Sequence, residues 1–580
     1  MQKSHDHIYE FDEFQLDSGR RLLLGGDGRV LPLTPKVFDT LLYMVEHSET
    51  ILDKSTLMKA IWPDTIVEEN NLNQNISVLR RVLGGTRGEH NYIVTVPGSG
   101  YRFVAGVSKR PRPAAVAIRT IAVLPFQPLV TEDRDASLEM GMADTLIARL
   151  SGLRDIIVRP ISSVAKYAEP GQDALLAGRE LDVESVLGGS LQRRANKIRV
   201  TVRLLNVSNG ASLWAGTFDE ELTDIFTLQD AISERVVRAL ALELSSEEKR
   251  RLTKHHTENN EAYRLYLKGR YYWWKNSYEE FSKSRDYFHR AVEADPSYAL
   301  GYCGLNSYYG FGAAFGMLPA EEAWPKAEWA IRKALDLDNT LAEAHLGMAA
   351  LHMVYYLDWA STEKEARRAI ELNARFEEIH FMYSFFLVVM RRFDEAIEQG
   401  KLALACDPFS VRISQHLASA FYHARRYDEA IQQYQRTLEL NSNNASVHES
   451  LGDVYEQSGH PQEAIKHWKK AATLAGDTVL NAILDAPDAI RNFNCTLQAL
   501  GKKKFERLTG MKDAGEHVPS IGFARACLRI GDREQALRWL KASCEERNVH
   551  ALMIGADPFY NPLRKDQRFV KLIRRMKLCA

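Results

Sequence analysis

The stretch ENNLNQNISVLRRVL, residues 69–83, has the pattern of an amphipathic helix, and the organisation of the N-terminal region follows from it. At about 100° per residue, its apolar side chains fall on one stripe, as in a helix packed on a small core. Those side chains are Leu72, Ile76, Leu79 and Leu83. The opposite face and its flanks carry Asn70, Asn71, Gln74, Asn75, Ser77, Val78 and Arg81. The helix therefore presents a polar face with almost no formal charge before its last turn.

This polar face differs from that of an ordinary solvated helix. Surface helices usually carry Glu and Lys at i, i+4 spacing, whereas Asn, Gln, Ser and Arg are side chains that bond base edges and phosphates. We therefore predict that the helix lies in the major groove of DNA. The alternative of an amide-rich surface helix without a ligand stays open, as does a merely solvated role for each single residue.

The neighbouring segments predict a winged helix-turn-helix. Short apolar runs at residues 8–14, 21–24 and 30–33 indicate a small antiparallel sheet. Thr34 and Asp53 are predicted N-caps of two helices, and Pro63 stops the second. Residues 92–96 and 101–104 indicate two strands, joined by a tight turn that contains Gly98 and Gly100.

The distribution of charge agrees with this prediction. The chain of 580 residues has a formal net charge of −1, so any DNA contact requires a local basic patch. Residues 1–69 hold seven Lys or Arg against thirteen Asp or Glu, and residues 70–112 hold seven against one. The positive charge therefore begins where the proposed groove helix begins.

Four short sequence motifs show a resemblance to a known family. They are LTPK at 33–36, LMKAIW at 57–62, LRR at 79–81 and GSGYRF at 98–103. On these motifs, residues 8–105 resemble an OmpR-type winged-helix DNA-binding domain. Two positions depart from the commoner pattern of that family, because Val78 and Pro97 stand where many relatives carry Arg.

The resemblance implies contacts beyond the groove helix. It implies that the second helix and the hairpin wing touch the DNA backbone and the minor groove through Lys54, Trp62, Thr95, Ser99, Tyr101 and Arg102. It also implies that a loop contacts RNA polymerase through Pro63, Asp64, Thr65, Ile66 and Val67. We predict that residues 1–108 form this domain.

Residues 109–117 read as a basic, proline-punctuated linker, after which the pattern changes. The charge of the linker adds phosphate contacts or is simply solvated. Residues 118–248 alternate helices and strands and then turn to hairpins, which predicts a small α/β domain. This segment resembles the TolB-N-terminal-like domains of bacterial regulators. It has no glycine-rich phosphate loop, so we expect no nucleotide cofactor.

Beyond residue 258 the chain repeats. RRFDEAI at 391–397, RRYDEAI at 425–431 and GHPQEAI at 459–465 recur every 34 residues, the period of a tetratricopeptide repeat. We predict such repeats over 258–478, divergent and terminal repeat helices over 479–580, and independent folding of 258–580. The concave face of stacked helix pairs usually binds a protein or peptide. The aromatic cluster at residues 271–274 either lines such a groove or belongs to the core.

Chemistry-bearing motifs are missing from the sequence. It contains no H-E-x-x-H, no G-x-S-x-G and no Cys/His metal spacing, so we expect neither an enzyme nor a metal site. The six cysteines form no C-x-x-C pair and read as reduced thiols. No apolar run reaches the roughly 18 residues of a membrane span. We expect a cytoplasmic protein without a membrane segment.

The three predicted parts together resemble HilA-type bacterial regulators. They differ from CadC-type relatives, which carry a membrane span. The resemblance implies a transcriptional activator that binds double-stranded DNA, RNA polymerase and a partner of the repeats, and that forms a homodimer on DNA. The alternative is a tetratricopeptide scaffold whose winged helix binds protein. Salt dependence separates the two, because phosphate neutralisation makes DNA affinity fall steeply with added salt.

Overall fold

The computed structural model describes residues 7–18, 22–25, 30–31, 33, 35–62, 69–84, 92–111, 119–129, 134–153, 155–194, 197–221, 225–240, 242, 244–252, 254–275 and 278–578. The chain divides into two compact units, residues 1–117 and 118–580. Within the described ranges, no helix combines the length and the apolar character that a membrane-spanning segment needs.

Three helices and two antiparallel sheets form the first unit. The helices are α1 (Pro35–Glu46), α2 (Lys54–Ile61) and α3 (Glu69–Val82). The strands are β1 (His7–Phe11), β2 (Phe14–Asp17), β3 (Leu22–Leu24), β4 (Val30–Leu31), β5 (Ile93–Val96), β6 (Gly100–Phe103) and β7 (Ser108–Pro111). One sheet has the order β4-β3-β2-β1-β7, and β5 with β6 forms the hairpin. The predicted winged helix-turn-helix is confirmed.

The apolar stripe of α3 is buried as its spacing predicts. Leu72 and Leu79 are fully buried, and Ile76 and Leu83 are 2% exposed. They share one core with α1, α2 and the hairpin. Burial of each such side chain stabilises the fold by about 1.5–3 kcal/mol. This burial fixes which face of α3 points outward.

Local contacts hold α2 and the hairpin in place. Asp53 caps α2, since its carboxylate accepts a hydrogen bond of 2.9 Å from the Thr56 amide, as predicted. Leu52 and Tyr101 exchange two backbone hydrogen bonds of 2.8 and 3.0 Å. Gly100 has φ +132°, and a Cβ at this position would lie 2.1 Å from the Leu52 carbonyl oxygen. Only glycine allows the hairpin to approach this closely.

The predicted linker begins later than the sequence indicated. Residues 108–111 form β7, which pairs antiparallel with β1 in the register Glu10↔Ser108 to His7↔Pro111. A proline is tolerated there because β7 is the edge strand of its sheet. The basic composition suggested a solvated linker, but β1 offered a free edge that the sequence pattern did not reveal. Residues 112–117 lie outside the described residues.

The second unit opens with an α/β region. Its strands are β8 (Arg119–Val123), β9 (Gln127–Pro128), β10 (Ile156–Val158), β11 (Ser185–Arg194), β12 (Lys197–Asn206) and β13 (Ser212–Glu221). Its helices are α4 (Ala136–Ser151), α5 (Ile161–Val164), α6 (Ala174–Glu180), α7 (Ile225–Ala239) and α8 (Ser246–Leu252). The sheet order is β10-β8-β11-β12-β13, parallel among the first three strands and antiparallel after them. The predicted change from alternating elements to hairpins is confirmed.

Helices make up the remainder of this unit. The first twelve are α9 (Asn260–Trp274), α10 (Tyr278–Ala294), α11 (Ala299–Ala314), α12 (Ala320–Leu337), α13 (Ala342–Leu351), α14 (Trp359–Leu372), α15 (Glu377–Val389), α16 (Phe393–Cys406), α17 (Val411–His423), α18 (Tyr427–Leu440), α19 (Ala445–Gln457) and α20 (Pro461–Leu474). The last five are α21 (Thr478–Leu484), α22 (Phe493–Asp513), α23 (Ser520–Ile530), α24 (Arg533–Glu545) and α25 (Gln567–Arg575). Two short 3₁₀ segments, Val549–Gly555 and Pro558–Leu563, separate α24 from α25.

These helices form the pairs that the repeat predicts. The second helices α16, α18 and α20 begin at residues 393, 427 and 461, which are 34 residues apart. A Cβ on Gly452 would lie 2.3 Å from the Trp468 ring, so glycine is what lets α19 and α20 approach. The aromatic residues 271–274 are half-buried and pack against side chains of α9, α10 and α11. They belong to the packing of the first helix pairs.

Side-chain contacts join the α/β region to the repeats. Arg270 of α9 pairs with Asp144 of α4 at 3.0 Å. Asp407, which follows α16, accepts hydrogen bonds of 3.0 and 2.5 Å from the hydroxyls of Ser162 and Ser163. Asp407 is 1% exposed. The sequence predicted two separate domains here, whereas the structure joins them in one compact unit.

Candidate DNA-binding surface

The outward face of α3 presents polar side chains that have no bonding partner within the described chain. Asn70, Asn71, Gln74, Ser77 and Arg81 are all exposed. In the described part of the chain, none of these side chains has a hydrogen-bond or ion-pair partner. Amide and guanidinium groups in this state are free to bond an external acceptor or donor. Because the opposite stripe is buried, this face is the only one that α3 offers to a ligand.

Two of the seven predicted groove residues are used inside the domain. The Asn75 amide donates hydrogen bonds to the Lys36 carbonyl at 3.2 Å and to the Thr40 hydroxyl at 3.0 Å. Asn75 therefore ties α3 to α1. Val78 is half-buried and packs against the core. Both residues flank the free face rather than sit at its centre.

Sequence reasoning missed the residues that connect α3 to the hairpin. The Arg80 guanidinium donates two hydrogen bonds to the Ile93 carbonyl, at 3.0 and 2.9 Å, and one of 2.8 Å to the Thr95 hydroxyl. The Tyr101 hydroxyl donates to the Asn73 side-chain oxygen at 2.7 Å. Arg80 and Asn73 lie between the buried stripe and the free face. Their intermediate position on the helix was the available signal.

The hairpin contributes fewer free groups than the resemblance implied. Ser99 is exposed at the turn. Thr95 is exposed, but its hydroxyl is bonded to Arg80. Tyr101 is only 6% exposed, so its ring belongs to the core and it supports Asn73 instead of reaching outward. Arg102 is half-buried, and its Nε is buried without a partner among the described residues.

The predicted backbone contacts on α2 have internal partners as well. Lys54 forms an ion pair with Glu69 at the start of α3, and this hydrogen bond raises the pKa of Lys54. Trp62 is half-buried, and the Lys36 ammonium lies 6.0 Å from the centre of its ring. The predicted polymerase-contact loop, Pro63 to Val67, lies outside the described residues.

The surface has the groups for recognition and lacks a nearby set of metal ligands. Among the described residues, no three His, Cys, Asp or Glu side chains are grouped so as to hold a metal ion. The major groove admits an α-helix, and base edges there present the donors and acceptors that amide and arginine side chains bond. The winged helix-turn-helix fold and the free polar face of α3 are together typical of a DNA-binding domain.

Two family models match the chain. The model described as "Transcriptional regulatory protein, C terminal" matches residues 28–103, and a tetratricopeptide repeat model matches residues 418–459. The first match covers α1 to β6 and thus the whole candidate surface. The predicted OmpR-type domain followed by tetratricopeptide repeats is confirmed.

Three proteins illustrate the similarity of the chain to known sequences. Transcriptional regulator HilA of Salmonella typhimurium is 26% identical over 409 residues, which are 69% of this chain and 70% of HilA. Transcriptional activator CadC of Escherichia coli is 34% identical over 82 residues, 14% of this chain and 16% of CadC. Putative adenylate cyclase 3 of Rhizobium meliloti is 30% identical over 200 residues, 34% of each chain. The chain is homologous to the HilA and CadC transcriptional regulators.

Among solved structures, the DNA-binding domain of E. coli CadC is similar to this chain. It is 27% identical, with coverage of 18% of this chain and 98% of that domain, and the TM-score is 0.17. The matches to the adenylate cyclase relative and to full-length CadC span 34% and 16% of those proteins, well under two thirds of their length.

Proposed function

We propose that this protein is a DNA-binding transcriptional regulator that reads promoter DNA with α3. The observation that carries the proposal is the free polar face of α3, opposite a fully buried leucine stripe. Homology to HilA and CadC over the regulatory domain supports it. In this role, Asn70, Asn71, Gln74 and Ser77 bond base edges, and Arg81 bonds a base or a phosphate.

The flanking residues divide into direct and supporting roles. Lys54, Trp62, Ser99 and Arg102 contact the DNA backbone or the minor groove. Asn75 and Val78 define the edge of the reading face, and Val78 meets a thymine methyl group where the base sequence provides one. Thr95 and Tyr101 hold the hairpin against α3 through Arg80 and Asn73.

The other parts regulate this contact. We propose that the α/β region and the repeats bind a protein or peptide partner, that the protein activates transcription as a dimer on DNA, and that residues 63–67 meet RNA polymerase. We propose that the protein acts in the cytoplasm, where bacterial DNA lies. The adenylate cyclase relative aligns over a third of its length, and we propose that this chain has no catalytic activity.

The experiment compares two double variants of the full chain on sites found by genome-wide mapping of DNA occupancy. Gln74→Ala with Arg81→Ala removes two groups from the free face of α3. We expect the DNA affinity measured by footprinting to fall by about thirtyfold or more, since each bidentate contact is worth about 1–3 kcal/mol. Gln432→Ala with Arg436→Ala is the matched control, because both residues are exposed and four apart on α18. Equal footprints from the two variants would refute the proposal.

A second candidate function is the tetratricopeptide scaffold whose winged helix binds protein. The internal ion pair of Lys54 with Glu69 favours it, because a lysine neutralised by the protein has less to offer a phosphate. Salt titration separates the two functions. A regulator that neutralises several phosphates loses affinity for DNA with a slope of about −0.9 per phosphate on a double-logarithmic plot, and a scaffold shows no such slope.

A further inference from the structure

The C-terminal residues of the chain fold back over the repeats. Arg547 donates a hydrogen bond of 3.0 Å to the Tyr355 carbonyl, which lies just after α13. The His550 ring lies 5.9 Å from the Phe315 ring at the end of α11. The Val549–Gly555 segment packs on α15. The first two contacts lie just beyond the C-terminal ends of α13 and α11. We call the C-terminal ends of the first helices of the repeats the first-helix ends.

The next segment continues along the same first-helix ends. The Asp557 carboxylate accepts a hydrogen bond of 3.1 Å from the Tyr422 hydroxyl of α17. It also accepts a bond of 2.9 Å from Arg525, whose guanidinium stacks 4.2 Å from the Phe559 ring centre. Asp557 caps its own turn by accepting from the Phe559 amide at 2.9 Å. One carboxylate thus joins the repeats, α23 and the C-terminal segment.

A third set of contacts anchors α23 to α19. Arg525 pairs with Asp453 at 2.9 Å, and Arg529 pairs with Asp453 at 3.0 Å and with Glu456 at 2.8 Å. The side chains of Arg529 and Glu456 are 16% and 12% exposed, so water screens this pair weakly. Because this anchor belongs to α23, α23 and the C-terminal segment together follow the first-helix ends from α11 to α19.

The turn after α17 is adapted to this segment. Arg425 has φ +62°, a left-handed conformation that favours glycine, and the equivalent position one repeat later is Gly459 with φ +80°. The Arg425 guanidinium donates a hydrogen bond of 3.1 Å to the Asn561 side-chain oxygen. Position 425 thus carries an arginine in a backbone conformation that favours glycine, and its side chain contacts the C-terminal segment.

We propose that residues 549–578 are an intramolecular ligand of the repeats, which closes the first-helix ends to outside peptides and directs any partner to another face. The large buried apolar side chains of the segment include Leu552, Ile554, Phe559, Tyr560, Leu563, Phe569, Leu572 and Ile573. Each of these side chains that release would expose to water disfavours release by roughly tenfold to a hundredfold. Exposure of about six of them already matches the roughly millionfold stabilisation that a competing peptide with a Kd of about 1 µM supplies at a concentration of about 1 M.

The chemistry of the closed site follows from its occupant. The repeats bind the Asp557 carboxylate and the Asn561 amide, and the Phe559 ring lies against Arg525 and Arg529 of α23. The site is therefore specific for an acidic residue followed by an aromatic residue that α23 holds. This inference is independent of DNA binding, and no readout of its test involves DNA. Failure of either proposal therefore leaves the other standing.

The test uses the full chain in two measurements. In the first, amide hydrogen exchange is followed for residues 549–573 and for α17. We expect the amides of both to exchange slowly and at similar rates. Exchange of the C-terminal segment a thousandfold faster than α17 would overturn the proposal. In the second, a fluorescent peptide with the sequence of residues 551–566 is titrated to about 100 µM. We expect no saturable binding, and saturable binding would overturn the proposal.

A conservative pair of variants tests the role of Asp557 as the bound carboxylate. Tyr422→Phe removes one hydrogen bond to a charged group, and we expect exchange of residues 549–573 to accelerate about tenfold. Tyr427→Phe is the matched control, since its hydroxyl makes no hydrogen bond within the described residues, and exchange should not change. Unaltered exchange in Tyr422→Phe contradicts the assignment of this site.

Discussion

Arg80 connects α3 to the hairpin, although it is not one of the predicted DNA-binding residues. Its three hydrogen bonds fix the Ile93 carbonyl and the Thr95 hydroxyl on one guanidinium. Arg81, the next residue, is exposed and free within the described chain. The two neighbouring arginines therefore differ: Arg80 positions the hairpin, and Arg81 is the one that we propose binds DNA.

This difference predicts that substitutions of Arg80 and Arg81 change stability by unequal amounts. Arg80→Ala removes bonds donated by a charged group, and we expect the free energy of unfolding to fall by about 1–3 kcal/mol. Arg80→Lys should not restore it, because an ammonium cannot form the planar fork. Arg81→Ala should change stability by less than about 0.5 kcal/mol, as exposed substitutions usually do. Urea unfolding of the three variants checks this, and equal losses at both positions would be inconsistent with it.

Periodicity predicted the direction of each α3 side chain but not its partner. The buried stripe and the free residues Asn70, Gln74 and Arg81 follow from 3.6 residues per turn. The hydrogen bonds of Asn75 and Arg80 depend on where α1 and β5 pack against α3. This packing is tertiary structure, which helical periodicity does not reveal. The burial of Tyr101 likewise depends on how closely the hairpin approaches Leu52. For this reason the edges of the site were predicted less well than its centre.

At the scale of elements, the hairpin depends on one glycine more than on another. Gly100→Ala would put a Cβ 2.1 Å from the Leu52 carbonyl, and Gly98→Ala would meet nothing within 4 Å although Gly98 also has positive φ. We expect Gly98→Ala to cost about 1–2 kcal/mol for its left-handed backbone, and Gly100→Ala to cost more because the strands must separate. Thermal unfolding of the two variants measures this order, and a larger loss in Gly98→Ala would contradict it.

The elements were predictable where a repeating pattern defined them. The helices of the repeats follow from small and aromatic residues at 34-residue spacing, and Gly452 beside Trp468 shows the physical reason. Strand β7 was not predictable, because its basic, proline-containing sequence is typical of a linker. It becomes a strand only because β1 offers an unpaired edge, which is information from outside the segment.

At the scale of the whole molecule, the α/β region and the repeats form one body. The sequence predicts that residues 258–580 fold alone, but Asp144 and Ser163 lie outside that fragment and hold Arg270 and Asp407 within the unit. We therefore expect the folding unit to begin near residue 118. Long-range pairs of this kind leave no trace in local sequence, so neither this union nor the closure by residues 549–578 was predicted.

We propose above that α3 of the full chain touches DNA bases through its free face. The most direct measurement places a photo-crosslinking residue at position 74 or, as control, at position 432, and maps the crosslinks on bound promoter DNA. We expect crosslinks from position 74 to bases in the major groove and none from position 432. Protected DNA without any crosslink from position 74 would contradict it.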